Sequence, residues 1–176
     1  MFRPTLSNPS QQRTLRPLYA NTQATPWAGF LDPSWNRAFD IYPGTVMARK
    51  SGEVFVPYTG ATNQKPFGLS ALFVAPVLGI DEVTESGTNN FTVWVGGDQA
   101  LFEVLAPAFD QTALWNESGN GQFTMLTATS TGLLTPTGVT ERNAIAELVK
   151  VVSTDKILVR LNRYDIAANT APAGGS

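Results

Sequence analysis

Apolar and polar positions alternate in short bursts along this chain, and each burst is closed by a turn signal. Gly44-Thr45-Val46-Met47-Ala48-Arg49-Lys50 reads as a strand running into Ser51-Gly52. Glu53-Val54-Phe55-Val56-Pro57-Tyr58 then returns with Val54, Val56 and Tyr58 on one face, which predicts a hairpin. A polar stretch from Thr59 to Pro66 leads to an apolar run, Phe67 to Val74, too short for a helix. Gly68 inside that run points to a bulge or a close backbone approach. Phe91 to Val95 alternates, turns at Gly96-Gly97-Asp98 and is expected to pair with Leu101 to Leu105, where Phe102 and Val104 share a face opposite Glu103. Gln122 to Thr129 is a further strand candidate after the turn Gly119-Asn120-Gly121. Ala144 to Val152 and Lys156 to Leu161 flank the turn Ser153-Thr154-Asp155. Glu141 to Val149 also fits a short helix, but the β-branched Val149, Val151 and Val152 favour strand. Seven or eight closely spaced strands without a long helix predict an all-β protein, a small antiparallel β-barrel or sandwich.

The first 31 residues break this pattern. They hold no acid, three arginines (Arg3, Arg13, Arg16) and four prolines (Pro4, Pro9, Pro17, Pro26), with neither helical nor strand periodicity. The prolines favour an extended path. Phe2, Leu6, Leu15, Leu18, Tyr19, Trp27 and Phe30 are too many anchors for an idle tail. The segment therefore reads as an extended N-terminal arm that docks on another surface. The expected organisation is an arm over residues 1–40, one β-barrel or sandwich domain over 41–166, and an Ala-, Gly- and Pro-rich flexible tail over 167–176.

Composition sharpens this reading. Charged residues are only 15% of the chain, against about 25% in typical domains, so part of the surface is expected to be covered in an assembly. Between residues 51 and 140 one base, Lys65, faces eight acids, which disfavours nucleic-acid binding. No stretch approaches the length of a membrane span. The absence of cysteine and histidine removes disulfides, thiolate metal sites and every imidazole-based catalytic device.

Candidate chemistry is sparse. Asp98 and Glu103 could flank a cleft as a hydrolytic carboxylate pair, but a turn aspartate and the solvent side of a strand explain them more simply. Asp81, Glu82 and Glu85 lack the alternate-position pattern of a calcium loop. No phosphate-binding or nucleophile-elbow motif occurs. The chain is thus read as a non-enzyme without cofactor or metal. Trp94 and Trp115 are candidates for a subunit contact or for stacking on a ligand such as a sugar.

The stretch from Pro43 to Leu72 carries a resemblance. Gly44-Thr45-Val46-Met47, the Ser51-Gly52 turn, Val54 to Tyr58, a polar loop ending in Pro66, and Phe67-Gly68-Leu69 resemble the β-core of tailed-bacteriophage capsid decoration, or cement, proteins. That resemblance implies a small, non-enzymatic, β-rich and often trimeric virion protein on the outer surface of an icosahedral capsid. Its partners would be the major capsid protein, whose neighbouring subunits it clamps, and its own copies, with no nucleic acid or membrane. The arm would be the capsid-binding element, through Phe2, Arg3, Leu6, Leu15, Arg16, Leu18, Tyr19, Trp27 and Phe30. A carbohydrate- or receptor-binding virion module and a tail or connector protein are the alternatives.

Overall fold

The computed structural model describes residues 14–18, 25–35, 38–61, 64–74, 90–95, 100–113, 115, 124–137 and 144–161. In chain order the strands are β1 (Leu15–Pro17), β2 (Thr25–Leu31), β3 (Val46–Ser51), β4 (Val54–Pro57), β5 (Pro66–Ser70), β6 (Asn90–Val95), β7 (Leu101–Leu105), β8 (Thr124–Ala128), β9 (Leu134–Thr137), β10 (Ala146–Ser153) and β11 (Lys156–Leu161). The described residues contain no helix, as the alternation predicts. Five strands close a barrel in the order β2-β4-β3-β5-β6, and six form a sheet in the order β1-β7-β11-β10-β8-β9. All pairings are antiparallel except the short β2–β4 seam, which joins Phe30 to Val54 and Leu31 to Phe55.

β3 explains how the two layers adhere. Met47 belongs to the barrel core with Leu31, Ile41, Phe55, Phe91 and Val93. Its neighbours Val46 and Ala48 belong to a second core, shared with Phe102, Val104, Leu126, Ile157 and Val159 of the six-stranded sheet. A strand covered on both sides must be apolar at successive positions, and Val46, Met47 and Ala48 are all buried. Burying each large side chain here stabilises by roughly 1.5–3 kcal/mol.

The β3–β4 hairpin forms in the predicted place, with an irregularity between Arg49 and Ser51. Val54 and Val56 do share a face, yet Phe55 on the opposite side is the fully buried residue because it fills the barrel. Gly68 is the expected close approach: a Cβ there would collide with the Trp94 carbonyl and the Val93 side chain. The β10–β11 hairpin forms too, with Ile157, Val159 and Leu161 buried.

One expectation is corrected. β6 and β7 do not pair, since β6 lies in the barrel between β2 and β5 while β7 lies between β1 and β11. Alternation tells which side chains seek a core, not which strand lies alongside. The two strands instead meet across the layers, where Trp94 and Phe102 stand 6.0 Å apart.

Part of the expected arm takes strand structure. Over 14–18 and 25–31 it is built into the fold, β1 edging the sheet and β2 closing the barrel. Its prolines are accommodated by geometry. The Leu18 N–H donates to Leu101, so the nitrogen of Pro17 faces the open edge of β1. Likewise the Phe30 N–H donates to the Glu53 carbonyl, and by alternation the nitrogen of Pro26 faces the same edge of β2, at a level that β4 does not reach. β9 was not predicted at all. It holds Pro136 and lies at the far edge of the sheet, where a missing donor is tolerated. Residues 1–13, 19–24 and the tail 167–176 lie outside the described residues.

Candidate functional site

β2 places its side chains alternately inside and outside the barrel. Trp27, Gly29 and Leu31 turn inward, and Gly29 has no room for a Cβ because the Glu53 carbonyl and the Phe55 ring press on it. Pro26, Ala28 and Phe30 turn outward and are exposed, with Phe30 at 45%. The outer face of β2 is thus an apolar strip with no charge. Val54 continues it on β4, beside Phe30.

The strip ends at an ion pair between the exposed Lys50 and the buried Asp32. Lys50 reaches across β4 and places Nζ 2.7 Å from Asp32 Oδ2. The other carboxylate oxygen, Oδ1, accepts from the Ser34 N–H at 2.9 Å and the Ser34 hydroxyl at 2.7 Å. Burial pushes the Asp32 carboxyl up, but the hydrogen bonds from Lys50 and Ser34 and the charge of Lys50 outweigh it and hold the carboxyl below its ordinary value. Beyond the pair lies a groove of about 400 Å³ lined by Asp32, Ala48, Arg49, Lys50, Val56, Ala61 and Gln64. The Arg49 guanidinium also caps the barrel end, 5.7 Å from the Trp27 ring and 5.6 Å from that of Phe67. Such cation–π contacts contribute about 0.5–1 kcal/mol at exposed sites.

The anchors expected in the arm are dispersed by the fold. Leu15 packs on the core between the layers, and Trp27 packs on the barrel core. Leu18 is half-buried beside Leu101, and Arg16 is exposed, 3.7 Å from Glu103. Phe30 alone of the described anchors presents a large apolar surface to solvent. Phe2, Arg3, Leu6 and Tyr19 lie outside the described residues. Trp94 and Trp115 both engage their own chain: Trp94 lies against Phe102, while Trp115 meets Phe109 edge-on at 5.3 Å and donates Nε1–H to the Asp110 carbonyl at 2.7 Å. Glu103 is held by Lys156 at 3.3 Å and by Arg16, and Asp98 lies outside the described residues.

Sequence reasoning missed Pro26, Ala28, Asp32, Lys50 and Gln64. Period-two alternation was present in Pro26, Ala28 and Phe30, but two prolines nearby concealed it. The 18-residue separation of Asp32 and Lys50 offers no local signal.

Among the described residues no three potential metal ligands converge, and no helix is long and apolar enough to cross a membrane. The described residues thus form an all-β body whose outer β2 face carries an exposed apolar strip. The comparison with protein families makes this specific: the model described as phage cement protein matches residues 1–176, and the chain belongs to that family, whose members stabilise capsids. No curated protein and no solved structure matches the chain.

Proposed function

We propose that this cement protein binds the outer surface of an icosahedral phage head and clamps neighbouring major capsid protein subunits. The observation that carries the reading is the uncharged strip Pro26-Ala28-Phe30 on the outer face of β2. An exposed phenylalanine flanked by proline, alanine and Val54 gains by leaving water, at about 25 cal/mol per Å² of apolar surface covered. The segment preceding β1 extends the contact through Phe2, Arg3 and Leu6, and Tyr19 adds to it from the connection between β1 and β2. Arg16 contributes an exposed charge at the same end of the chain. Copies of the protein associate as trimers through the body, so that each weak attachment makes the next one intramolecular.

Co-sedimentation with purified heads lacking the protein tests this. Removing residues 1–31 would take away β1 and β2, so the test spares them. Phe30→Ser is expected to leave folding stability within about 0.5 kcal/mol, since the site is exposed. Its affinity for heads should fall at least tenfold, about 1.4 kcal/mol. Deleting residues 2–13 should weaken binding further. Unchanged head binding by Phe30→Ser would refute the strip as the docking element.

A further inference from the structure

We infer that the groove at the end of this strip receives a carboxylate-bearing extended segment of the capsid protein, an aspartate or glutamate flanked by small apolar residues. This rests on the capsid-binding reading above and names the chemistry of one part of it.

The inventory of donors and acceptors carries the inference. Both Asp32 oxygens are already engaged, by Lys50 and by Ser34. The Gln64 carbonyl oxygen accepts from the Thr59 N–H at 2.8 Å, the Thr59 hydroxyl at 3.1 Å and the Ala61 N–H at 3.3 Å. That fixes the loop wall and leaves the Gln64 amide N–H groups without an acceptor among the described residues. Lys50 is 57% exposed and carries three N–H groups, whose partners among the described residues are Asp32 and, at 3.5 Å, Ser34. Arg49 adds a second cation to the lining, with Nε donating to the Gly52 carbonyl. The acceptors are occupied while donors and positive charge remain, so the matching ligand is rich in acceptors and anionic.

Val56, only partly buried, gives the groove an apolar component, which suits a carboxylate borne on a peptide better than a bare phosphate. Val56 follows Val54 on the outer side of β4, so the groove continues the strip beside Phe30. A chain laid along both would place apolar residues on β2 and its acid at Lys50. The protein's own first 31 residues cannot supply that acid, because they contain none. Nucleic acid is disfavoured by the eight acids against one base between residues 51 and 140.

The test has two arms. The peptide acetyl-Val-Ala-Asp-Val-Ala-amide and its Asn analogue are titrated into the isotope-labelled full chain and followed by NMR. The Gln64 side-chain amide, the Ala61 N–H and the Val56 methyls should shift with the Asp peptide, and the Asn peptide should bind at least tenfold more weakly. Ala61→Glu, at an exposed position, and Arg49→Gln should each abolish the shifts while retaining the dispersed spectrum of a folded protein. In the second arm, Ala61→Glu should bind purified heads at least tenfold more weakly. Equal binding of the two peptides, shifts located elsewhere, or inorganic phosphate moving the same resonances as strongly as the peptide would each overturn the inference. So would normal head binding by Ala61→Glu, and that result would leave the strip standing, which Phe30→Ser tests separately.

Discussion

Asp32 shows how much one side chain decides at this surface. It lies at the end of β2, buried, and joins β2 to β3 over the top of β4 through Lys50. Its carboxyl is held below the ordinary 3.8, so the folded state binds a proton there less readily than the unfolded chain does. The stabilisation is therefore complete above about pH 4 and is lost as pH falls through the depressed folded value. Asp32→Asn should cost about 1–3 kcal/mol at pH 7 and flatten the acid limb of the stability curve. Urea unfolding of both proteins between about pH 2 and 7 checks this. Parallel curves below pH 4 would mean that Asp32 is not the group responsible. In the sequence Asp32 is an ordinary acid before a proline, because the lysine that gives it meaning comes 18 residues later.

β1 and β2 are where local reading and observed structure part most clearly. β1 contributes three residues, yet it is tied at both ends: the Leu105 N–H donates to the Thr14 carbonyl and the Leu18 N–H to that of Leu101. Thr14 is buried, and its hydroxyl donates to the Pro43 carbonyl at 2.6 Å. Deleting residues 2–13 should accordingly leave thermal stability nearly unchanged. Deleting 2–18 should lower it by about 3 kcal/mol or more, since Leu15 leaves a hole beside the second core. Thermal denaturation followed by circular dichroism separates the two. Equal losses would show that β1 adds nothing to the body. The hairpins β3–β4 and β10–β11 were legible because short turns bind each strand to its neighbour in sequence. β2 was not, since its partners β6 and β4 come much later in the chain and its alternation is spread between prolines.

The two layers form one body because β3 is buried on both faces. Met47 serves the barrel core while Val46 and Ala48 serve the core beneath the sheet, so neither layer unfolds without exposing the other. Unfolding should therefore be a single cooperative transition. Tryptophan fluorescence, which reports all four tryptophans, Trp27 and Trp35 against the barrel core and Trp94 and Trp115 against the second, should coincide with far-UV circular dichroism. Separate transitions would make the barrel and the sheet independent units. Trp94→Ala should destabilise the whole molecule by about 3 kcal/mol, since its ring fills the space against Phe102. The linear order of residues was enough to establish an all-β chain, the β3–β4 and β10–β11 hairpins, the close approach at Gly68 and the lack of imidazole and thiol chemistry. Those are properties of side-chain alternation, turn residues and composition, which act locally. Only the tertiary structure decided that β6 and β7 part into different layers, that the N-terminal segment supplies two strands, and that Phe30, Lys50, Asp32 and Gln64 share one face. Such outcomes depend on which distant surfaces hide each other from water, and no short-range pattern encodes that choice.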